Sequence, residues 1–233
     1  MNSLTISRDQ LCRIIDHTNL HPDAVSADFE KLCAEAAVNH FAMVAINSSP
    51  VALCKRLLHG TDVHVGAAIS YPLGQTTLET KLFEAENAIC NGADEIDYVL
   101  NIGELKSGNL KYIEKEMTSL VSLCHVSSVV CKVIFETCYL TDDEIVSAAQ
   151  IARSVGPDYI KTSTGAGPGG ATPEAVRLMK QAAGGIIKVK AAGGIRDWES
   201  CAAMLDAGAE RIGTSSSLKI LSQFDALRAK KSR

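Results

Sequence analysis

The sequence predicts a single-domain α/β fold, a (β/α)8 (TIM) barrel, on three observations. Short β-branched runs alternate with helical patterns of roughly 10–15 residues along the whole chain, the mark of a parallel sheet. Eight such units fit into 233 residues, and a chain of roughly 200–250 residues built this way favours closure into a barrel. An open doubly wound sheet usually carries a glycine-rich dinucleotide loop after its first strand, and Ile15-Asp16-His17-Thr18-Asn19 is not one.

The strand runs fall at 14–18, 41–47, 63–70, 95–100, 129–136, 159–162, 186–191 and 210–213. Each is followed by a helical pattern: 27–39, 50–58, 77–91, 110–125, 141–154, 173–182, 197–207 and a last one from Ser217. The fifth helix opens on Thr141-Asp-Asp-Glu144, a capping box in which hydroxyl and carboxylate satisfy free N–H groups. The sixth opens on Thr172-Pro173, with proline where a helix has no use for an N–H. Gly92, Gly156 and Gly208 fall just past helix ends, where a left-handed cap is wanted. No proline- or serine-rich linker divides the chain. Residues 1–233 read as one domain with a short N-terminal extension and a basic C-terminal tail.

Composition narrows the function. Apolar residues make up 46% and aromatics only 5%, so the core is aliphatic and alanine-rich. The net charge is −4 with both signs interspersed. No basic stripe marks a nucleic-acid surface. The basic residues Arg228, Lys230, Lys231 and Arg233 read as a solvated, frayed end. No run approaches the roughly 18 apolar residues of a membrane span, and no secretory signal opens the chain. A cytoplasmic protein is expected. The eight cysteines contain no C-x-x-C pair and are expected to be small buried hydrophobes in a reducing compartment.

Two lysines stand out. Lys161 ends one strand run before Thr162-Ser163-Thr164-Gly165, and Lys190 ends the next before Ala191-Ala192-Gly193-Gly194. In a parallel sheet these positions become neighbours. A lysine beside a second cation has a lowered pKa, and a neutral amine attacks carbonyls. Other charged residues near the strand ends are Asp16, Glu95, Asp97, Lys132, Glu136 and Lys188. The period of two puts Glu95 with Asp97, Lys132 with Glu136, and Lys188 with Lys190 on common faces. Inside a barrel such charges must pair or do chemistry. Lys188 would be a third inward amine, partnered by Glu95 or Glu136. Gly193-Gly194 and Gly213-Thr214-Ser215-Ser216 follow the last two strands, where barrels often hold phosphate on backbone N–H groups. The histidines form no metal motif; His40, His59, His64 and His125 read as surface or packing residues.

Seven segments in order, Ile15-Asp16-His17-Thr18, Tyr71-Pro72-Leu73-Gly74, Gly92 to Asp97 with Asn101-Ile-Gly103, Glu136-Thr137, Lys161 to Gly165, Lys190 to Arg196 and Arg211 to Ser216, resemble the deoxyribose-phosphate aldolase family. The resemblance implies a class I aldolase that cleaves 2-deoxy-D-ribose 5-phosphate reversibly to D-glyceraldehyde 3-phosphate and acetaldehyde, with no metal and no organic cofactor. It implies that Lys161 forms the Schiff base. Lys190 would perturb Lys161, Asp97 would relay protons, and Asp16 would lie near the substrate hydroxyls. Thr164, Gly165, Gly193, Gly194, Gly213, Ser215 and Ser216 would contact substrate or phosphate. It further implies a homodimer or homotetramer. The chain departs from the pattern at Ala45, in place of a cysteine, at Ala166, in place of a lysine, at Lys188, and at Lys231-Ser232-Arg233, where some members end in a tyrosine that folds over the site. The rival readings are another Schiff-base lyase, transaldolase-like or acting on a keto acid, and a sugar-phosphate-binding barrel without turnover.

Overall fold

The computed structural model describes residues 3–231. Eight parallel strands close in chain order, with the last paired to the first. They are β1 (Ile15–Thr18), β2 (Met43–Asn47), β3 (His64–Ile69), β4 (Glu95–Val99), β5 (Val130–Ile134), β6 (Tyr159–Lys161), β7 (Lys188–Ala192) and β8 (Arg211–Thr214). Among the described residues ten α-helices surround them: α1 (Arg8–Cys12), α2 (Ser26–Asn39), α3 (Val51–Leu57), α4 (Leu78–Cys90), α5 (Ile102–Lys106), α6 (Leu110–Val126), α7 (Asp142–Val155), α8 (Pro173–Ala182), α9 (Trp198–Asp206) and α10 (Ser217–Lys231).

The predicted barrel is therefore present, with strand ends trimmed by a few residues. The capping box at Thr141 forms, and Gly156 closes the same helix with φ 87°. Helices α1 and α5 lie outside the predicted set. Each has five residues, less than two turns, so no helical period can be read from sequence.

The outward strand faces build the aliphatic core. Val44, Ile46, Val65, Ile96, Val133, Ile160, Val189 and Ile212 are fully buried under the helices. The inward faces are different: they carry Asp16, Glu95, Asp97, Lys132, Lys161, Lys190 and Arg211, all buried. Gly66 leaves room for Met43, whose Cε would lie 2.3 Å from a Cβ placed there.

Some expectations need correction. Lys188 is exposed at the amino end of β7, with its ammonium 5.4 Å from the Tyr159 ring centre. It shares a face with Lys190, but two residues along the barrel axis separate the packed interior from the mouth. All eight cysteines are unpaired, yet Cys90 is exposed and Cys138 only half-buried. Arg228 is held rather than free, donating to the carbonyls of Leu4 and Ile6 at 2.9 and 3.0 Å. Ser232 and Arg233, where the family's closing tyrosine was considered, lie outside the described residues. Among the described residues no helix is long and apolar enough to cross a membrane.

Candidate active site

Asp97 is the hub of the barrel interior. It sits mid-strand in β4, in register with Lys132 of β5, while Lys161 of β6 is in register with Lys190 of β7. Its Oδ1 takes Lys132 Nζ at 2.5 Å, and its Oδ2 takes both Lys161 at 2.9 Å and Lys190 at 2.6 Å. The network continues toward the amino end of the barrel. Lys132 also forms an ion pair with Glu95 at 2.5 Å, Lys190 forms one with Asp16 at 2.5 Å, and Arg211 pairs with Glu95 at 2.6 Å and with Asp16 at 3.3 Å. His64, half-exposed at the amino mouth, closes on Glu95 at 2.8 Å.

Three carboxylates thus face four basic groups. Lys132, Lys190 and Arg211 each bond two carboxylates, whereas Lys161 bonds one. The odd amine carries the electrostatic cost. Burial lowers the pKa of Lys161 to about 8; Asp97 opposes the shift and Lys190 adds to it. Burial also works against the charges of Lys132 and Arg211, but their carboxylate partners outweigh it and both are raised. Asp97 is held well below the usual carboxylate range because three lysines overcome its burial. Glu95 is lowered likewise by Lys132, His64 and Arg211 against its burial. The interior therefore holds fixed ion pairs and one amine that gives up its proton near neutral pH, the condition for nucleophilic attack on a carbonyl.

Lys161 is also the member of this network that opens toward the carboxyl end of the barrel. A cavity of about 590 Å³ at the carboxyl end of the barrel is lined by Lys161, Gly165, Gly193, Gly194, Gly213, Thr214 and Ser215, with Arg196 and His21 on its walls. The glycine loops meet closely. A Cβ on Gly193, at φ 89°, would lie 3.1 Å from Gly170, 3.2 Å from Ser163 and 3.4 Å from Gly165, so only glycine allows these backbones to approach and leave their N–H groups accessible.

The structure sorts the predicted residues into groups. Asp97 pairs with Lys161, and Lys190 pairs with the same Asp97 oxygen and with Asp16; none of these three lines the cavity. Thr164 borders the cavity but spends its donors elsewhere: N–H and O–H both go to Glu136. Ser216 is off the cavity wall, and its N–H donates to Thr214 Oγ1 at 2.9 Å. Ser215 is exposed on the wall. Sequence reasoning missed Arg196, an exposed cation beside Gly193-Gly194; its signal was its place in the Lys190–Arg196 segment. It also missed Arg211, and it did not foresee that Lys132, not Lys188, is the third amine inside the barrel. Buried His17 acts as a brace, bonding Ser217 at 2.9 Å and Glu35 at 2.8 Å.

A TIM barrel whose cavity floor is a lysine of lowered pKa, seated on a carboxylate, defines a class of enzyme that works on carbonyls through an imine. The comparisons with known proteins agree in kind. Residues 11–223 match the DeoC/LacD family aldolase profile. The chain belongs to that family of aldolases. It is 56% identical to the deoxyribose-phosphate aldolase of Lactobacillus acidophilus over 91% of this chain and 90% of the relative. It is 49% identical to that of Bacteroides thetaiotaomicron over 96% and 94%. Among solved structures, a putative deoxyribose-phosphate aldolase from Coccidioides immitis superposes with a TM-score of 0.91 at 35% identity, covering 94% of this chain and 87% of the other. The deoxyribose phosphate aldolase of Aeropyrum pernix, described as tetrameric, superposes with a TM-score of 0.88 at 32% identity, covering 95% and 93%.

Proposed function

We propose that this chain cleaves 2-deoxy-D-ribose 5-phosphate reversibly to D-glyceraldehyde 3-phosphate and acetaldehyde, a reading supported by relatives named deoxyribose-phosphate aldolase. The observation that carries the reading is Lys161, with a pKa of about 8, bonded to Asp97 and open to the cavity. Neutral Lys161 attacks C1 of the open-chain sugar. The carbinolamine loses water, and the iminium then draws electrons from the C2–C3 bond. A base takes the C3 hydroxyl proton, the bond breaks, and glyceraldehyde 3-phosphate leaves. The enamine left on Lys161 is protonated at C2, and water releases acetaldehyde. Asp97 and Lys190 share a short contact beneath Lys161 and supply the proton relay through a water or a substrate hydroxyl. The loops at Gly165, Gly193-Gly194 and Ser215, with Arg196, take the phosphate. Asp16 holds Lys190 in place through their ion pair.

Self-association as a homodimer or homotetramer is supported by the Aeropyrum pernix relative and by exposed apolar side chains such as Phe83, Val38 and Val126. Eight unpaired cysteines suit a reducing compartment, the cytoplasm. The test of function is borohydride reduction with acetaldehyde, followed by mapping of the alkylated residue, beside an assay for acetaldehyde release from deoxyribose 5-phosphate. Alkylation at Lys161 with acetaldehyde release is expected. Labelling at Lys190 or Lys132, or cleavage of a keto acid in place of the sugar, would refute the reading.

A further inference from the structure

Glu136 follows β5 at the carboxyl end of the barrel, and the mechanism above leaves it unused. It is 1% exposed. The cations of the interior pair with Asp16, Glu95 and Asp97, and among the described residues none forms an ion pair with Glu136. A buried carboxylate without a cation is costly unless hydrogen-bond donors surround it. Here the donors come chiefly from one residue. Thr164 N–H lies 3.2 Å from Oε1 and 3.3 Å from Oε2, and Thr164 O–H donates to Oε2. The Cys138 thiol adds a contact to Oε1 at 3.7 Å.

The backbone argues for a constrained post. Glu136 is left-handed, with φ 57° and ψ 59°, a conformation uncommon for a residue with a Cβ and kept only where surroundings enforce it. The next residue is pinned as well: Thr137 N–H donates to Thr162 O at 2.9 Å. Thr164 is then fixed on its other sides. Its carbonyl accepts from Tyr71 O–H at 2.9 Å, and its Oγ1 accepts from Ala166 N–H at 3.0 Å. One buried carboxylate therefore organises the turn Thr164-Gly165-Ala166, and Gly165 is the residue packed against Gly193.

We propose that Glu136 is a positioning residue for phosphate recognition. Acting through Thr164, it sets Gly165 and Ala166 against Gly193-Gly194 and so shapes the end of the cavity that takes a terminal phosphate. Glu136 itself lies off the wall of the Lys161 cavity and borders a neighbouring one with Leu73, Ile102 and Tyr139. Its influence is on affinity for phosphorylated aldehydes, not on imine formation. The inference rests on the proposed function, because it needs a phosphorylated substrate in this cavity.

The experiment compares wild type, Glu136→Gln, Thr164→Val and Thr164→Ser on 2-deoxy-D-ribose 5-phosphate, on 2-deoxy-D-ribose and in acetaldehyde trapping at Lys161. Wild-type turnover of the phosphorylated sugar tests the underlying reading separately; its absence sinks both. Given turnover, Glu136→Gln and Thr164→Val should raise KM for the phosphorylated sugar roughly tenfold, the scale of a lost charge-assisted hydrogen bond. Their kcat, their KM for the unphosphorylated sugar and their trapping rate should change by less than about threefold, and Thr164→Ser should restore the wild-type KM. Equal losses on both sugars, or slowed trapping, would make Glu136 a fold-holding residue and overturn the proposal. An unchanged KM in both variants would overturn it too. Should Glu136→Gln not fold, the Thr164→Val and Thr164→Ser pair reads the same contact.

Discussion

Replacing Lys190 by methionine should return Lys161 part of the way toward an ordinary lysine. The two nitrogens share Asp97 Oδ2 at 2.9 and 2.6 Å. They therefore lie within about 5.5 Å of each other, and at an effective dielectric of about 20 two like charges at that spacing repel by about 3 kcal/mol. That repulsion corresponds to about two pKa units. Burial remains the larger cause of the depression, so the shift is a partial recovery. Freed from Lys190, Asp97 also attracts Lys161 more strongly, which pushes the same way. From its present value of about 8, Lys161 should move to about 10. At about pH 7.5 the neutral share of the amine then falls from roughly a quarter to well under 1%. The assay is the rate of ethyl transfer to Lys161 from acetaldehyde and cyanoborohydride, followed by intact mass across about pH 6–11. The trapping midpoint should rise by about two pH units, with the rate at high pH approaching wild type. A midpoint that stays near pH 8 would refute the electrostatic argument and leave Lys190 with proton transfer alone.

Other outcomes follow from the same network. Asp97→Asn should still trap acetaldehyde, because losing the anion lowers the Lys161 pKa further, but methyl-proton exchange should slow by roughly 10²–10⁴-fold; exchange near wild type would remove Asp97 from the relay. Lys161→Met should raise the thermal midpoint at neutral pH. Lys161 is lowered from its unfolded value of about 10.4, so its protonated form costs stability below about pH 8 and that cost fades as pH rises toward about 10.4; a lower midpoint at neutral pH would contradict the charge count. Asp97 is depressed in the folded state, so its contribution is present above about pH 4 and is lost only as pH falls toward its folded pKa. Lys132→Met weakens that depression and should move the acid-unfolding midpoint upward, measured by circular dichroism. Finally, Ser215→Asp should abolish activity on deoxyribose 5-phosphate far more than on deoxyribose, while Ser216→Asp, off the cavity wall, should do much less; equal effects would place the phosphate elsewhere.

The lysine pair was legible because chain order in a parallel barrel makes consecutive strands neighbours, which is the Lys161–Lys190 register observed. Asp97 was legible for a similar reason, as an inward charge on a strand. The limits were equally physical. Strand period tells which face a residue occupies but not its height, so Lys188 looked like Lys190 until the axial position separated them. Sequence shows that Thr164 and Ser216 carry donors; it does not show that Glu136 and Thr214 have already taken them. Arg196 lies past the strand end, where only the loop's path could bring its guanidinium to the cavity.

The ring of alternating charges inside the barrel behaves like a small salt crystal, in which, the surplus amine of Lys161 apart, each ion taken out singly leaves its neighbours short of a counter-charge. Removing Lys132 or Arg211 alone leaves two carboxylates each short of one counter-ion; adding a carboxylate alone would quench the reactive amine. For anyone recruiting this scaffold to a new carbonyl substrate, the freedom therefore lies in the loops above Lys161. The ions beneath it must travel together, and a lysine grafted into another barrel without such a counter-ion lattice would gain an amine but not its reactivity.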